Sequence, residues 1–392
     1  MTSTASQFDI TVVGGGMVGA AIALALSQAG LQVALIEKLA PVAFDAQSTP
    51  DLRVSSVNLA SEAWLSDLGA WQALQQMRLC PYQRLQAFEH SQSVVTFNAA
   101  DIDRSHLGHI VENNLLQLAL WQQLGSNVQV FCPSSVTALE QTADSAILTL
   151  DSGEKLSSDL VVAADGGHSL LRQLAGIGTN GWQYRQACLV ALVKTPYPQQ
   201  DVTWQQFTPS GPKAFLPLNG QQGSVVWYED AAKVKQLAAL SPAQLTQELV
   251  KAFPNVIGDV EVMASSWFPL ARMDANRYFA GRVVLAGDAA HTINPLAGQG
   301  VNLGFADAKL LTELIIDAKR HNSDIGSEQL LQRYQRKRKP ANLLMMSAMD
   351  GFYQVFGNDI APLRKLRQLA LSLAARSTML KTLVARYAVG SE

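Results

Sequence analysis

The stretch from Ile10 to Ala29 constrains this chain more than any other, because it reads as strand, glycine turn and helix in immediate succession. Ile10 to Val13 is a short β-branched run of the kind found in a strand buried on both faces. Gly14, Gly16 and Gly19 follow at the spacing G-x-G-x-x-G, with Gly15 inside the turn. The first glycine permits a tight turn, the second lets backbone approach a pyrophosphate, and the third lets helix pack closely on strand. A helix from Met17 through Val18 to about Ala29 is predicted, ending at Gly30. A second apolar strand, Leu31 to Ile36, then stops at Glu37 and Lys38. An acid roughly 20 positions past the glycines is placed to accept hydrogen bonds from an adenosine ribose. The helix N-terminus offers free N–H groups and a positive dipole end to phosphates. The run therefore predicts a doubly wound α/β dinucleotide site, and by itself leaves FAD and NAD both open.

The remaining composition narrows the class. A length of 392 residues accommodates two or three domains, each with its own core. A net charge of −2 carries no electrostatic footprint for nucleic acid. Cys80, Cys132 and Cys188 are far apart with no Cys-x-x-Cys pair, and read as free thiols of a reducing compartment. The six histidines are scattered, with no cluster at ligand spacing, so no metal is expected. The apolar run from Thr11 has no lysine or arginine before it and is broken by glycines, so it reads as neither signal peptide nor membrane span. A cytoplasmic location is expected, with peripheral contact at the inner membrane as the other option.

Further along, Arg53 stands out in the loop stretch that follows Pro50, and reads equally as a cofactor contact or a solvated loop arginine. Val111-Glu-Asn-Asn opens a helix with Asn113 or Asn114 as its predicted cap. A buried strand over Leu160–Ala163 ends in Asp165-Gly166, a second strand-to-helix junction with a carboxylate at its tip. From Cys188 to about Glu261 the chain is rich in aromatic residues and alternating strands. That pattern predicts a separate antiparallel sheet, its aromatics serving an apolar ligand or simply a sheet core. The strand from Arg282 leads into Gly287-Asp288, where a doubly wound sheet places ligand contacts. Pro295-Leu-Ala-Gly298-Gln299-Gly300-Val301-Asn302 then runs into a helix reaching Ala318. Gly298 and Gly300 clear side chains from a helix start, which makes a pocket of backbone donors. The last stretch is helical, and Arg364, Lys365, Arg367, Arg376, Lys381 and Arg386 among leucines suit either an anionic membrane or a solvated final helix.

Together, the Gly14–Gly19, Asp165-Gly166 and Gly287-Asp288 motifs resemble the single-component flavin-dependent aromatic hydroxylases, the para-hydroxybenzoate hydroxylase-like family, over about Asp9 to Ala318. The resemblance implies a Rossmann-like FAD-binding domain, an inserted antiparallel β-sheet substrate domain and C-terminal helices. It implies FAD on Gly14, Gly15, Gly16, Val18 and Gly19, with Glu37 on the ribose beside Lys38. Arg53 would lie along the diphosphate and flavin edge, Asn113 near the diphosphate or ribityl chain, and Val136 on the adenine through its backbone. Many relatives hold a longer arginine or glutamine at the Asn113 position. Asp165-Gly166 would serve FAD and passing nicotinamide phosphates, and Gly287-Asp288 the ribityl hydroxyls. Pro295, Gly298, Gln299, Gly300, Val301 and Asn302 would line the isoalloxazine.

Within that family, Val111-Glu-Asn-Asn, Trp182-Gln-Tyr, Trp204-Gln-Gln-Phe-Thr-Pro and the Pro295 motif are similar to the ubiquinone-biosynthesis hydroxylases. The implied activity is ring hydroxylation of a polyprenylated benzoquinol with NADPH or NADH and O2, through a flavin C4a-hydroperoxide. Two alternatives stand beside it: a sister hydroxylase acting at another ring position of a polyprenylphenol, and a non-catalytic FAD-binding member of a biosynthetic assembly. Association with other ubiquinone-biosynthesis proteins is implied, and no nucleic acid. No catalytic base is assigned, and His109, His291 and Tyr228 qualify by residue type alone. The expected division is FAD domain over 1–80, 101–180 and 271–325, substrate domain over 81–100 and 181–270, and a helical region over 326–392.

Overall fold

The protein is described by a computed structural model covering residues 5–89, 94–254, 257–294, 300–356 and 390. Strands and helices are numbered along the chain. The main path of the first sheet is Phe279–Ala280 (β17), Val283–Leu285 (β18), Lys155–Ala163 (β11), Ser6–Val13 (β1), Val33–Ile36 (β2) and Val128–Phe131 (β8). From β18 to β8 every neighbour is parallel. An antiparallel arm, Ala146–Leu150 (β10) and Val136–Gln141 (β9), extends from β11. Parallel strands covered on both faces need continuous apolar runs, and Ile10, Val12, Leu35 and Val161 are accordingly fully buried. Thr11 and Ser158 are buried polar exceptions, and their hydroxyls meet at 2.5 Å.

Helix Met17–Gln28 (α1) is apolar nearly all round, and buries Gly19 through Ser27. It packs against helices Asn113–Gln122 (α4) and Gly300–Arg320 (α8). The predicted asparagine cap of α4 is corrected. The helix starts at Asn113, and its N-cap is Glu112 with no side-chain capping bond. The Glu112 carboxylate is drawn away instead, to both Nε and Nη2 of Arg78 (2.9 and 3.1 Å) and to the Asp51 N–H.

The second sheet has the path His291–Thr292 (β19), Glu261–Ala275 (β16), Thr179–Lys194 (β12), Gln222–Asp230 (β15), Lys213–Pro217 (β14), Val202–Gln206 (β13), Arg84–Phe88 (β5) and Val95–Asn98 (β6). It is mixed rather than purely antiparallel, because β5 arrives from an earlier part of the chain and lies parallel to β13. One face, with Leu189, Phe215, Val225 and Trp227, packs under helices Ala231–Ala238 (α6) and Pro242–Ala252 (α7). Trp204 stacks on Phe215 in this core at 6.1 Å. Trp204 therefore serves packing and presents no surface to a ligand.

The opposite face makes two separate contacts. Leu192, Leu216 and Leu218 pack on Tyr82, Cys80 and Ile110 of a third sheet, which orders Val54–Asn58 (β3), Gly108–Glu112 (β7) and Leu79–Tyr82 (β4). Cys188 and Tyr228 pack with Leu270 beside Met349 of the long helix Glu328–Phe356 (α9). Val190 and Val226 pack beside this second cluster, and with their cross-strand neighbour Ala214 they are half-buried. Three shorter helices are Leu59–Asp67 (α2), Ala70–Gln75 (α3) and Leu170–Leu174 (α5). Among the described residues no helix is long and apolar enough to cross a membrane. The basic segment from Arg364 to Arg386 lies outside the described residues. Cys80, Cys132 and Cys188 are free thiols.

Candidate cofactor cleft

Register places the motifs together. Val13 pairs with Ile36 on one side and Ala163 on the other, and Ala163 pairs with Leu285. The residues just beyond these strand ends are Gly14, Glu37, Asp165 and Gly287, so four motifs separated by as much as 273 positions in sequence (287 − 14) share one sheet edge. This is the carboxyl edge of the parallel strands, where α/β sheets bind ligands.

The glycine turn is built by close approach. A Cβ at Gly14 would lie 2.8 Å from the Asp165 N atom, and Gly14 itself takes φ +99°, a left-handed value that favours glycine. A Cβ at Gly19 would overlap the Gly14 carbonyl oxygen. At Gly16 it would meet nothing within 4 Å, so that position faces open space. Gly16 also caps α1 with no side-chain hydrogen bond. The first-turn N–H groups of α1 are thus left to an incoming acceptor. Val18 fills the seam to α8: a Cβ at Gly304 would come within 2.6 Å of it, and one at Gly287 within 3.2 Å.

Glu37 closes the turn from the side. Its Oε2 accepts from the Gly15 N–H at 2.6 Å, and Oε1 from the N–H groups of Lys38 and Leu39. Lys38 itself is exposed. Val136 opens β9 two residues after Ser134, whose N–H donates to the Glu37 carbonyl at 2.9 Å. Two groups that the motifs did not reveal hold the same loop: Gln117 Nε2 and Trp121 Nε1 both donate to the Gly15 carbonyl, at 2.8 and 2.7 Å. The signal was available, since Asn113, Gln117 and Trp121 recur every four residues on one face of α4.

Arg53 is exposed beside the cleft, and the Asn113 N–H donates to its carbonyl at 2.9 Å. The Asn113 side chain meets Ser55 Oγ at 2.7 Å. Asp288 is solvent-accessible yet ringed by protein, the signature of a group opening into a cleft. That crowding raises its carboxyl above the ordinary range, against the opposing pull of His291 and Arg53. Asp165 accepts from the Leu171 N–H through Oδ2, while its buried Oδ1 has no hydrogen-bond partner. Gly166 turns at φ +83°.

Two further residues were missed because nothing in local sequence marks them. Arg172 donates to the Ala289 carbonyl (2.8 Å) and to the Gly167 carbonyl (2.9 Å), tying the Asp165-Gly166 turn to the Gly287-Asp288 turn. Asp307, on α8 and fully buried, accepts from His291 Nε2 (2.5 Å), Arg338 Nε (2.6 Å), Asn342 Nδ2 (3.0 Å) and the Gly287 N–H (3.2 Å). His291, considered above as a base by residue type, is itself buried in this pair. His109 is likewise engaged, with the Glu62 carboxylate.

Gly300 and Val301 form the half-buried start of α8. The Asn302 side chain is spent on the protein: Oδ1 accepts from the Asn58 N–H and Ser61 Oγ, and Nδ2 donates to the Ser56 carbonyl. Pro295, Gly298 and Gln299 lie outside the described residues.

A model of the FAD binding domain matches residues 7–348. The chain belongs to the FAD binding domain family. Full-length relatives agree: the 3-demethoxyubiquinol 3-hydroxylase of Escherichia coli K12 is 44% identical over 97% of this chain and 98% of its own length. The ubiquinone hydroxylase UbiL of Rhodospirillum rubrum is 34% identical over 98% of this chain and 90% of its own. The p-nitrophenol 4-monooxygenase PnpA of Pseudomonas putida shares the fold, with a TM-score of 0.81 at 19% identity over 98% of this chain and 99% of that one. This family member is an FAD-dependent monooxygenase, with a Rossmann-like α/β fold. The cleft fits FAD on its own terms: an uncapped helix start facing open space at Gly16, and an orphaned acceptor at Asp165 Oδ1.

Proposed function

We propose that the chain hydroxylates the ring of a polyprenylated benzoquinol in ubiquinone biosynthesis, consuming O2 and NADPH or NADH. The observation that carries the reading is the half-buried row Val190, Val226 and Ala214 on the second sheet. It is apolar and small, as a prenylated ring requires. Similarity to the 3-demethoxyubiquinol and ubiquinone hydroxylases supports this substrate class over most of the chain's length. FAD, when bound, supplies the oxygen-activating redox chemistry.

The protein's part is to bind, orient and exclude water. We assign the diphosphate to the α1 start, flanked by Arg53 and Asn113, and the adenosine end to Glu37, Lys38 and the backbone near Val136. The ribityl chain belongs at Asp288, with Asp165-Gly166 serving FAD and passing nicotinamide phosphates. Backbone donors at Gly300 and Val301 sit at the positive end of α8, suited to holding negative charge on a reduced flavin ring. Asn302 acts through Asn58 and Ser61 by fixing β3 and α2 as the wall behind that ring. The FAD domain is assigned to 1–80, 101–180 and 271–325, the substrate domain to 81–100 and 181–270, and the helical region to 326–392. Peripheral membrane contact and association with other ubiquinone-biosynthesis proteins would bring the enzyme to a bilayer-resident substrate.

The test is mass spectrometry of product formed in 18O2 from a short-chain 3-methyl-6-methoxy-1,4-benzoquinol with the FAD-loaded protein and NADPH or NADH. One 18O on the ring is expected. Oxygen consumption with unlabelled quinol refutes this substrate, and labelling at another ring position of a sister polyprenylphenol supports the sister-hydroxylase reading.

A further inference from the structure

Away from the cleft, folding brings a carboxylate to a pair of histidines three positions apart in sequence. Glu62 lies in the first turn of α2, His109 on β7, and His106 in the connection just before β7. His106 Nε2 stands 2.9 Å and His109 Nδ1 3.1 Å from the same carboxylate oxygen, Glu62 Oε2. The candidate ligand atoms all lie within 4.8 Å of one another. In a tetrahedral zinc site, bonds of about 2.0–2.1 Å separate neighbouring ligand atoms by roughly 3.3 Å. The two carboxylate-to-imidazole spacings reach that with shifts of a few tenths of an ångström, and the two imidazole nitrogens lie within 4.8 Å of each other.

Two further contacts preset the ligands. Ser105 Oγ is 2.9 Å from His106 Nδ1 and can accept its proton, which leaves Nε2 as the unprotonated, metal-binding nitrogen. Trp71 packs edge-on against the His109 ring at 5.0 Å and fixes its plane. Glu62 and His106 remain partly exposed, so an ion has a route in and a place for bound water. Two imidazoles and one carboxylate, with no thiolate and no further oxygens, suit a borderline divalent transition metal rather than calcium or magnesium.

We propose that Glu62, His106 and His109 form a site for a divalent transition metal ion, with Zn2+ as its representative, separate from the FAD cleft. The ion cross-links α2 to β7. Because β7 pairs with β3, and Asn302 anchors the β3–α2 corner, occupancy stiffens the wall on which that corner rests. The site is structural, and turnover does not pass through it.

The experiment uses the FAD-loaded full chain, equilibrated with micromolar Zn2+, dialysed, and analysed for metal per chain by plasma mass spectrometry. A Co2+ titration read at wavelengths beyond the flavin absorption reports coordination geometry. Close to one Zn2+ per chain and a four-coordinate Co2+ spectrum are expected for the wild type. Affinity should fall at least tenfold in His106→Gln and in His109→Gln, with FAD content and circular dichroism unchanged. Added Zn2+ should raise the wild-type melting temperature and leave that of His106→Gln where it was. Equal zinc in wild type and both variants, or none retained by the wild type, overturns the proposal and reduces the cluster to a hydrogen-bonded latch.

Discussion

Removing the charge of Asp307 tests how the Gly287-Asp288 turn is held. In Asp307→Asn the carboxylate that serves His291, Arg338, Asn342 and the Gly287 N–H becomes a neutral amide of the same shape. His291 and Asp307 are both essentially inaccessible to solvent, and the Arg338 side chain is 14% exposed. Breaking a buried pair from one side costs about 3–5 kcal/mol. With an unfolding entropy near 2.1 cal/mol/K per residue, a chain of 392 residues converts that into a melting-temperature loss of about 4–6 °C.

The pH dependence distinguishes this account from simple repacking. Burial alone would lower the His291 pKa, but the charge and hydrogen bond of Asp307 raise it above its ordinary value. Its contribution is therefore complete below about pH 6.5 and is lost as pH rises through the higher folded value. Burial alone would raise the Asp307 pKa, but His291 and Arg338 hold it below its ordinary value. That contribution is present above about pH 4 and is lost as pH falls through the lower folded value. The gap between wild type and Asp307→Asn should be widest near pH 5–6. It should narrow on the alkaline side without closing, because Arg338 stays charged. Differential scanning calorimetry of the FAD-loaded pair across pH reads this directly. A gap that is flat with pH refutes an ionised His291, and melting points within about 1 °C refute the network's importance.

Two other outcomes follow from the glycine turn. Gly19→Ala drives a methyl into the Gly14 carbonyl, so α1 must lift from the turn at a cost of about 1–3 kcal/mol, and flavin bound per chain, read by absorbance, should drop. Glu37→Gln keeps the shape but loses the charge facing three backbone N–H groups, and a roughly tenfold rise in FAD dissociation constant, about 1.4 kcal/mol, is expected by fluorescence titration.

The sequence alone determined which chemistry this chain can host. Glycine spacing, two apolar strands and a trailing acid are local facts, dictated by which backbone turns a Cβ forbids, and they identified the β1–α1 turn and Glu37. Two more turns, Asp165-Gly166 and Gly287-Asp288, were legible for the same reason, each being a strand running directly into a glycine with an acid beside it. Tertiary structure decided what registers in space. Only strand order aligns Val13, Ile36, Ala163 and Leu285, so only it brings those turns to one edge. Only packing distinguishes Trp204, which lies in a core, from Val190, Val226 and Ala214, which stay half-buried on the other face; alternation in a strand fixes that two faces exist, not what covers each. The buried charges Arg172 and Asp307, and the convergence of Glu62, His106 and His109, were likewise invisible. Their partners lie between 5 and 117 positions away, and a charge's worth is set by the neighbours that folding supplies.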